Sequence, residues 1–196
     1  MCNSMKSTRV VPGLPRSLFT ALLLLTCGVL SAQDQKHRAV QIMHVTVEVH
    51  APYDRFTGAL EKIVGRHAND VAQDMRSNPQ HAEERIKAME GEQGLMIFAI
   101  LDHGAALNIV GVHAKAKQYL IGNPLTAIQM TRHDLRAALY APLRILVYEK
   151  DGHTVVEYDR PSSLFGQFDN AEVTPVGVSL DTKLERVIAR AAELSR

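Results

Sequence analysis

Val45, Val47 and Val49 alternate with Thr46, Glu48 and His50. A period of two marks a half-buried strand. Pro52 follows and suits the first turn of a helix. Tyr53, Phe56, Leu60, Ile63, Val64 and His67 then recur at helical spacing, which predicts one amphipathic helix over them. Residues 68–92 are polar and charged. Within them Ser77-Asn78-Pro79 reads as a helix start and Gly91 as its stop, so the stretch is expected to be a surface excursion. Gly94 to Gly104 is a near-continuous apolar strand that ends in Asp102-His103, and KQYLIG is the next strand. The run stops at Gly122-Asn123-Pro124, where Asn123 is a favoured N-cap and Pro124 fits the first helical position. Ile128, Leu135, Ala138 and Leu139 are expected on the inward face of the helix that follows, which Tyr140-Ala141-Pro142 ends. LRILVYE and HTVVEY flank Lys150-Asp151-Gly152, a hairpin with a tight Asp-Gly turn. The last element is a helix from about Leu180, with Leu180, Leu184, Val187, Ile188 and Ala191 in one stripe. This order predicts a single α+β domain: an antiparallel sheet with helices packed on one face and a short helix inserted between strands.

The N-terminal end changes the picture of where this domain works. Lys6, Arg9 and Arg16 precede an apolar, leucine-rich core from Leu18 to Leu30, and Ser31-Ala32 supplies small residues for cleavage. That three-part pattern predicts a secretory signal over residues 1–32 and an exported domain, periplasmic or secreted, over 33–196. The core, of about 13 residues, is too short for a membrane span of about 20. Leu24-Leu25-Thr26-Cys27 resembles a lipobox, with Thr where a smaller residue is usual, so a lipid anchor through Cys27 is the lesser alternative. Removing three cations leaves 19 basic against 21 acidic side chains, a net charge of −2. This balance argues against nucleic-acid binding, which usually needs a basic face. Both cysteines, Cys2 and Cys27, fall in the leader, so residues 33–196 hold no disulfide, thiolate nucleophile or cysteine metal site.

Four pieces in order carry a family resemblance: LDHGAAL, YLIGNPLTAIQM, YAPLRILVYEKDG and VEYDRPSSLFGQF. Together they resemble the DUF302 family of domains of unknown function, over roughly residues 42–194. The resemblance implies a TATA-binding-protein-like fold of order β-α-β(4)-α, with residues 68–92 as a polar insertion. It implies neither DNA binding nor any reaction, since a fold does not carry a function.

The candidate chemistry is therefore weighed from the residues. Asn123 opens a helix whose free N–H groups can face an anionic ligand group, although its first role is to cap. Asp102 and His103 end a strand on opposite faces, so they do not pair with each other. Each can cap a turn at Gly104, and either can act as acid or base in a pocket beside Asn123. Arg144 offers a planar fork to a carboxylate or phosphate, and Tyr158 is a second polar tip on the hairpin. His44, Glu48 and His50 share one strand face, but zinc usually takes three or four protein ligands, so no metal and no cofactor is expected. Ser162-Ser163 lacks a G-x-S-x-G frame and reads as loop hydrogen bonding. The resulting expectation is a binding protein for a small amphipathic or anionic ligand held between sheet and helices, with Asp102, His103, Asn123, Arg144 and Tyr158 as its residues. The alternatives are a small-molecule enzyme using Asp102 or His103, and a homodimeric interaction module.

Overall fold

The computed structural model describes residues 35–196, of which Val40–Arg196 is one compact unit. The leader expected over residues 1–32, with Cys27, lies outside the described residues. Among the described residues no helix is long and apolar enough to cross a membrane.

The strands are β1 (His44–Val49), β2 (Gly65–Arg66), β3 (Met96–Asp102), β4 (Ala116–Gly122), β5 (Leu143–Lys150) and β6 (His153–Asp159). They form one sheet in the order β1-β6-β5-β4-β3-β2. The helices are α1 (Tyr53–Ile63), α2 (Val71–Ser77), α3 (Pro79–Met89), α4 (His103–Leu107), α5 (Pro124–Thr131), α6 (Pro161–Gly166) and α7 (Thr174–Leu194). The α+β class expected from the sequence is the one observed. The sheet is mixed rather than wholly antiparallel, because β2 runs parallel to β3. The other pairings are antiparallel.

The main core follows from the alternation. Val156 and Tyr158 of β6 stand opposite Val147 and Ile145 of β5, and Ile145 stands opposite Tyr119 of β4. All point to one face and meet Phe56 and Leu60 of α1 and Leu180, Leu184, Val187 and Ile188 of α7. Each fully buried side chain of this size contributes roughly 1.5–3 kcal/mol of hydrophobic free energy. The Asp151-Gly152 turn has positive φ at both residues, 51° and 78°, which matches the right-handed twist of the flanking strands.

Several sequence expectations are corrected. The first helix stops at Ile63, so His67 is not on it. The chain turns extended because Gly65 must lie against β3 and the end of α3. A Cβ on Gly65 would collide with the Met89 carbonyl, and one on Gly91 with the Gly65 amide. The amides of Gly65 and Gly91 both donate to the Leu95 carbonyl at 3.1 Å. The polar stretch 68–92 is more than a surface excursion: Val71, Ala82 and Ile86 are buried with Met96 in a second small core. Leu95 and Ile97 belong to the main core, so Met96 points to the other side of the sheet.

The expected inward face after Asn123 turns outward. Ile128, Leu135 and Leu139 are 52%, 81% and 77% exposed, and Ala138 is exposed too. The helix does not continue through them. Asp134 takes the Arg136 amide on its own carboxylate at 3.0 Å and starts a separate 3₁₀ segment, Leu135–Tyr140. Such local side-chain bonding competes with helix propagation and breaks its phase, which leaves Met130 and Ala137 as the buried residues. At the C-terminal side, Ser162-Ser163 sits in α6 rather than a loop, and α7 begins at Thr174, six residues before the expected Leu180.

Candidate functional site

Asn123 ends β4 and caps α5. Its side-chain oxygen accepts the Leu125 amide at 2.7 Å, and its nitrogen donates to Glu90 Oε1 at 2.5 Å and to the Gly94 carbonyl at 2.8 Å. Both donors are therefore used, and the residue is buried. It fixes the start of α5 to the connection between α3 and β3. Beside it a cavity of about 310 Å³ opens. This is at the lower end of the roughly 300–1,000 Å³ typical of small-molecule sites. One wall is Gly122 to Pro124, Thr126 and Ala127 with Met130; another is Tyr140 to Leu143, which contains the cis Ala141-Pro142 bond. Ala72 and Met75 of α2 lie across from these, and Phe98, Phe165 and Leu180 complete an almost wholly apolar lining. An added Cβ at Gly122 would meet Pro142 and Phe98 at 3.5–3.6 Å, ordinary van der Waals contact.

His67 also lines this cavity. Its amide donates to the Ile97 carbonyl at 3.0 Å, which extends the β2–β3 pairing by one residue. Its ring stacks on Phe98, with centroids 4.3 Å apart and planes 18° from parallel. Both ring nitrogens are covered by protein and have no hydrogen-bond partner; among the described residues they are the only such side-chain atoms. Burial lowers its pKa below the ordinary 6.5, against a smaller opposing pull from Asp70.

A family model described as a domain of unknown function, DUF302, matches residues 71–191, well over half of the chain. The chain belongs to the DUF302 family. Among solved structures it is similar to an uncharacterized conserved DUF302 protein from Bacillus stearothermophilus, known from its crystal structure. The identity is 17%, the TM-score 0.55, and the superposition covers 76% of this chain and 97% of that one. This likeness shows the shared fold. No curated protein matches the chain. The DUF302 match takes in α2 and α3 and every cavity-lining residue except His67, which lies just before it.

The five residues singled out from the sequence do not converge in this DUF302 domain. Asn123 lines the cavity. Asp102 pairs with Lys117, at the opposite end of β3 and β4 from the Met96–Gly122 pair. Six residues of strand separate that end from Asn123, about 20 Å. The Asp102 carboxylate caps α4 by accepting the Ala105 amide at 2.8 Å, and His103 is the exposed first residue of that helix. The pocket expected to join either of them to Asn123 is not formed. Arg144 is exposed in a separate groove with Asp159 and Leu164, which shares the Tyr140–Leu143 segment with the cavity. Tyr158 is buried under α7, its phenol raised in pKa chiefly by burial, and faces a groove between β1 and α7. His44 is held by Asp159 at 3.0 Å and lies 3.4 Å from Glu157, and His50 meets His153 edge-on. Among the described residues no three His, Cys, Asp or Glu side chains are grouped to hold a metal. Ser162 and Ser163 serve local bonding: the Ser162 amide donates to Asp181 at 2.8 Å, and the Ser163 hydroxyl donates to the Arg160 carbonyl at 2.7 Å.

His67 was not among the expected site residues. Its place in the helical stripe of α1 hid it. The signal that breaks the stripe is Gly65, which needs the bare backbone for close approach and so ends the helix before His67.

Proposed function

We propose that this chain is an exported binding protein for a small, largely apolar molecule held in the cavity beside Asn123. The observation that carries the reading is the cavity itself: about 310 Å³, walled by side chains from α2, α5, the sheet and the cis-proline segment, with almost no polar surface. Burial of a ligand's apolar surface there contributes on the order of 25 cal/mol per Å². The leader pattern over residues 1–32 supports export. An anionic ligand is less well served than the sequence suggested, because the lining carries no Lys or Arg and both Asn123 donors are taken. Catalysis through Asp102 or His103 has no support from their position. The test is titration of the mature domain with N-phenyl-1-naphthylamine, which fluoresces in apolar surroundings. Saturable binding that Ala127→Phe abolishes, with folding retained, is the expected result. Binding that this cavity-filling variant leaves unchanged would refute the assignment.

A homodimer is the second reading, favoured because β1 forms an outer edge of the sheet and Leu135 and Leu139 are largely exposed. Sedimentation velocity over rising concentration tests it, and a monomer at the highest concentration would end it.

A further inference from the structure

We infer that His67 is the polar anchor of this cavity, and that the ligand carries one uncharged hydrogen-bonding group, of the alcohol or phenol kind, on an apolar body. The inference rests on the binding reading above and names its ligand class. Two covered imidazole nitrogens without partners are a cost to the fold, since a buried polar group left unpaired loses its hydration with nothing in return. His67 is also the one ionisable imidazole on the lining, and Asn123 has no donor left to offer. The side-chain hydroxyls on the lining are those of Thr126 and Tyr140.

The stacking geometry leaves the imidazole one rotation free. The ring lies nearly parallel to Phe98, so a half-turn about its Cβ–Cγ bond keeps the stack. That turn exchanges each nitrogen with a ring carbon, Nδ1 with Cδ2 and Nε2 with Cε1, and we take it as the step that presents a nitrogen to the ligand. The Ile97 bond to the His67 amide holds the backbone fixed meanwhile. A neutral imidazole offers one donor and one acceptor, which a hydroxyl matches. A carboxylate would need a cation. The lining carries no Lys or Arg, Arg85 of α3 is already committed to Asp70 and Asp74, and burial disfavours charging His67 itself. An uncharged head group is what these partners leave room for.

The experiment compares three probes of one shape by equilibrium dialysis: 2-naphthol, 2-methylnaphthalene and 2-naphthoate. Wild-type protein is expected to bind 2-naphthol roughly three- to tenfold more tightly than 2-methylnaphthalene, the worth of one neutral hydrogen bond. It is expected to bind 2-naphthoate most weakly. His67→Phe keeps a ring on Phe98, so it should still take 2-methylnaphthalene and lose the preference for 2-naphthol. A readout that needs no variant is the imidazole ¹⁵N spectrum of wild type, in which the His67 signals should shift with 2-naphthol and not with 2-methylnaphthalene. Equal binding of the two neutral probes, or a hydroxyl preference that survives His67→Phe, would overturn the anchor while leaving the cavity reading intact. Tightest binding of 2-naphthoate would overturn the uncharged ligand class. No binding of any probe would overturn both this inference and the reading it rests on.

Discussion

Replacing Asn123 with alanine removes three hydrogen bonds at once and leaves their partners in place. The Leu125 amide loses its cap, which typically costs about 1 kcal/mol. The contact to Glu90 is charge-assisted and worth roughly 1.5–3 kcal/mol, and the one to the Gly94 carbonyl about 1 kcal/mol. The three share one side chain and are not additive, so the expected loss is about 3 kcal/mol. For a domain of this size that lowers the Tm by roughly 6–12 °C. Two further variants separate the parts. Asn123→Ser keeps a cap and loses the donors, so it should fall between wild type and alanine. Asn123→Asp also keeps the cap, but sets a second carboxylate against Glu90 at hydrogen-bond distance, so at pH 7 it should do worse than Ser. Adding Glu90→Gln should recover much of that loss, because an amide can donate to the new carboxylate. Urea unfolding followed by circular dichroism gives the free energies. A loss below about 1 kcal/mol for Asn123→Ala, or no rescue by Glu90→Gln, would refute the claim that Asn123 ties α5 to the α3–β3 connection.

Three other outcomes are expected. Leu184→Ala, in the main core, should cost about 2–5 kcal/mol, whereas Leu135→Ser and Leu139→Ser should stay within about 0.5 kcal/mol; chemical denaturation distinguishes the observed outward face from the inward one that the sequence pattern predicts. Glu61 is raised in pKa by burial but lowered further by Lys117 and Tyr119, for a net fall below 4.5; its contribution is present above that value and lost as pH falls through the folded one, so Glu61→Gln should flatten the acid side of the stability profile. His67 is held below 6.5, so its neutral form favours the fold above that pH and the benefit is lost on acidification; His67→Phe should lose less Tm than wild type between pH 7.5 and 5. His44, raised by Asp159, acts with the opposite sign, losing its contribution as pH rises above 6.5, and it stays in both proteins of that comparison.

Where local chemistry and tertiary packing agree, the fold is readable from the chain. The valine alternation of β1, the Asp-Gly turn between β5 and β6, and the Asn-Pro start of α5 all appear as the pattern demands. The failures have a common cause, in that periodicity alone does not see phase breaks. Asp134 restarts the backbone three residues after α5 ends, so a helical stripe drawn through Ile128, Leu135 and Leu139 joins two elements that share no axis. Gly65 redirects the chain because Gly91 must pass against it, a contact between positions 26 residues apart. Asn123 was legible as the cap of α5 because capping is local. His67 was not, because the cavity it lines is assembled from α2, β3, α5 and the cis-proline segment. Asp102 and His103 looked reactive beside Asn123 only while the direction of β3 was unknown.

The most direct test of the binding account is native mass spectrometry of residues 33–196, purified from the natural host and compared with the same sample denatured. The account predicts a noncovalent small-molecule mass on wild type that vanishes on denaturation and is missing from folded Ala127→Phe. A bare wild-type mass, or an adduct carried equally by the cavity-filled variant, would contradict it.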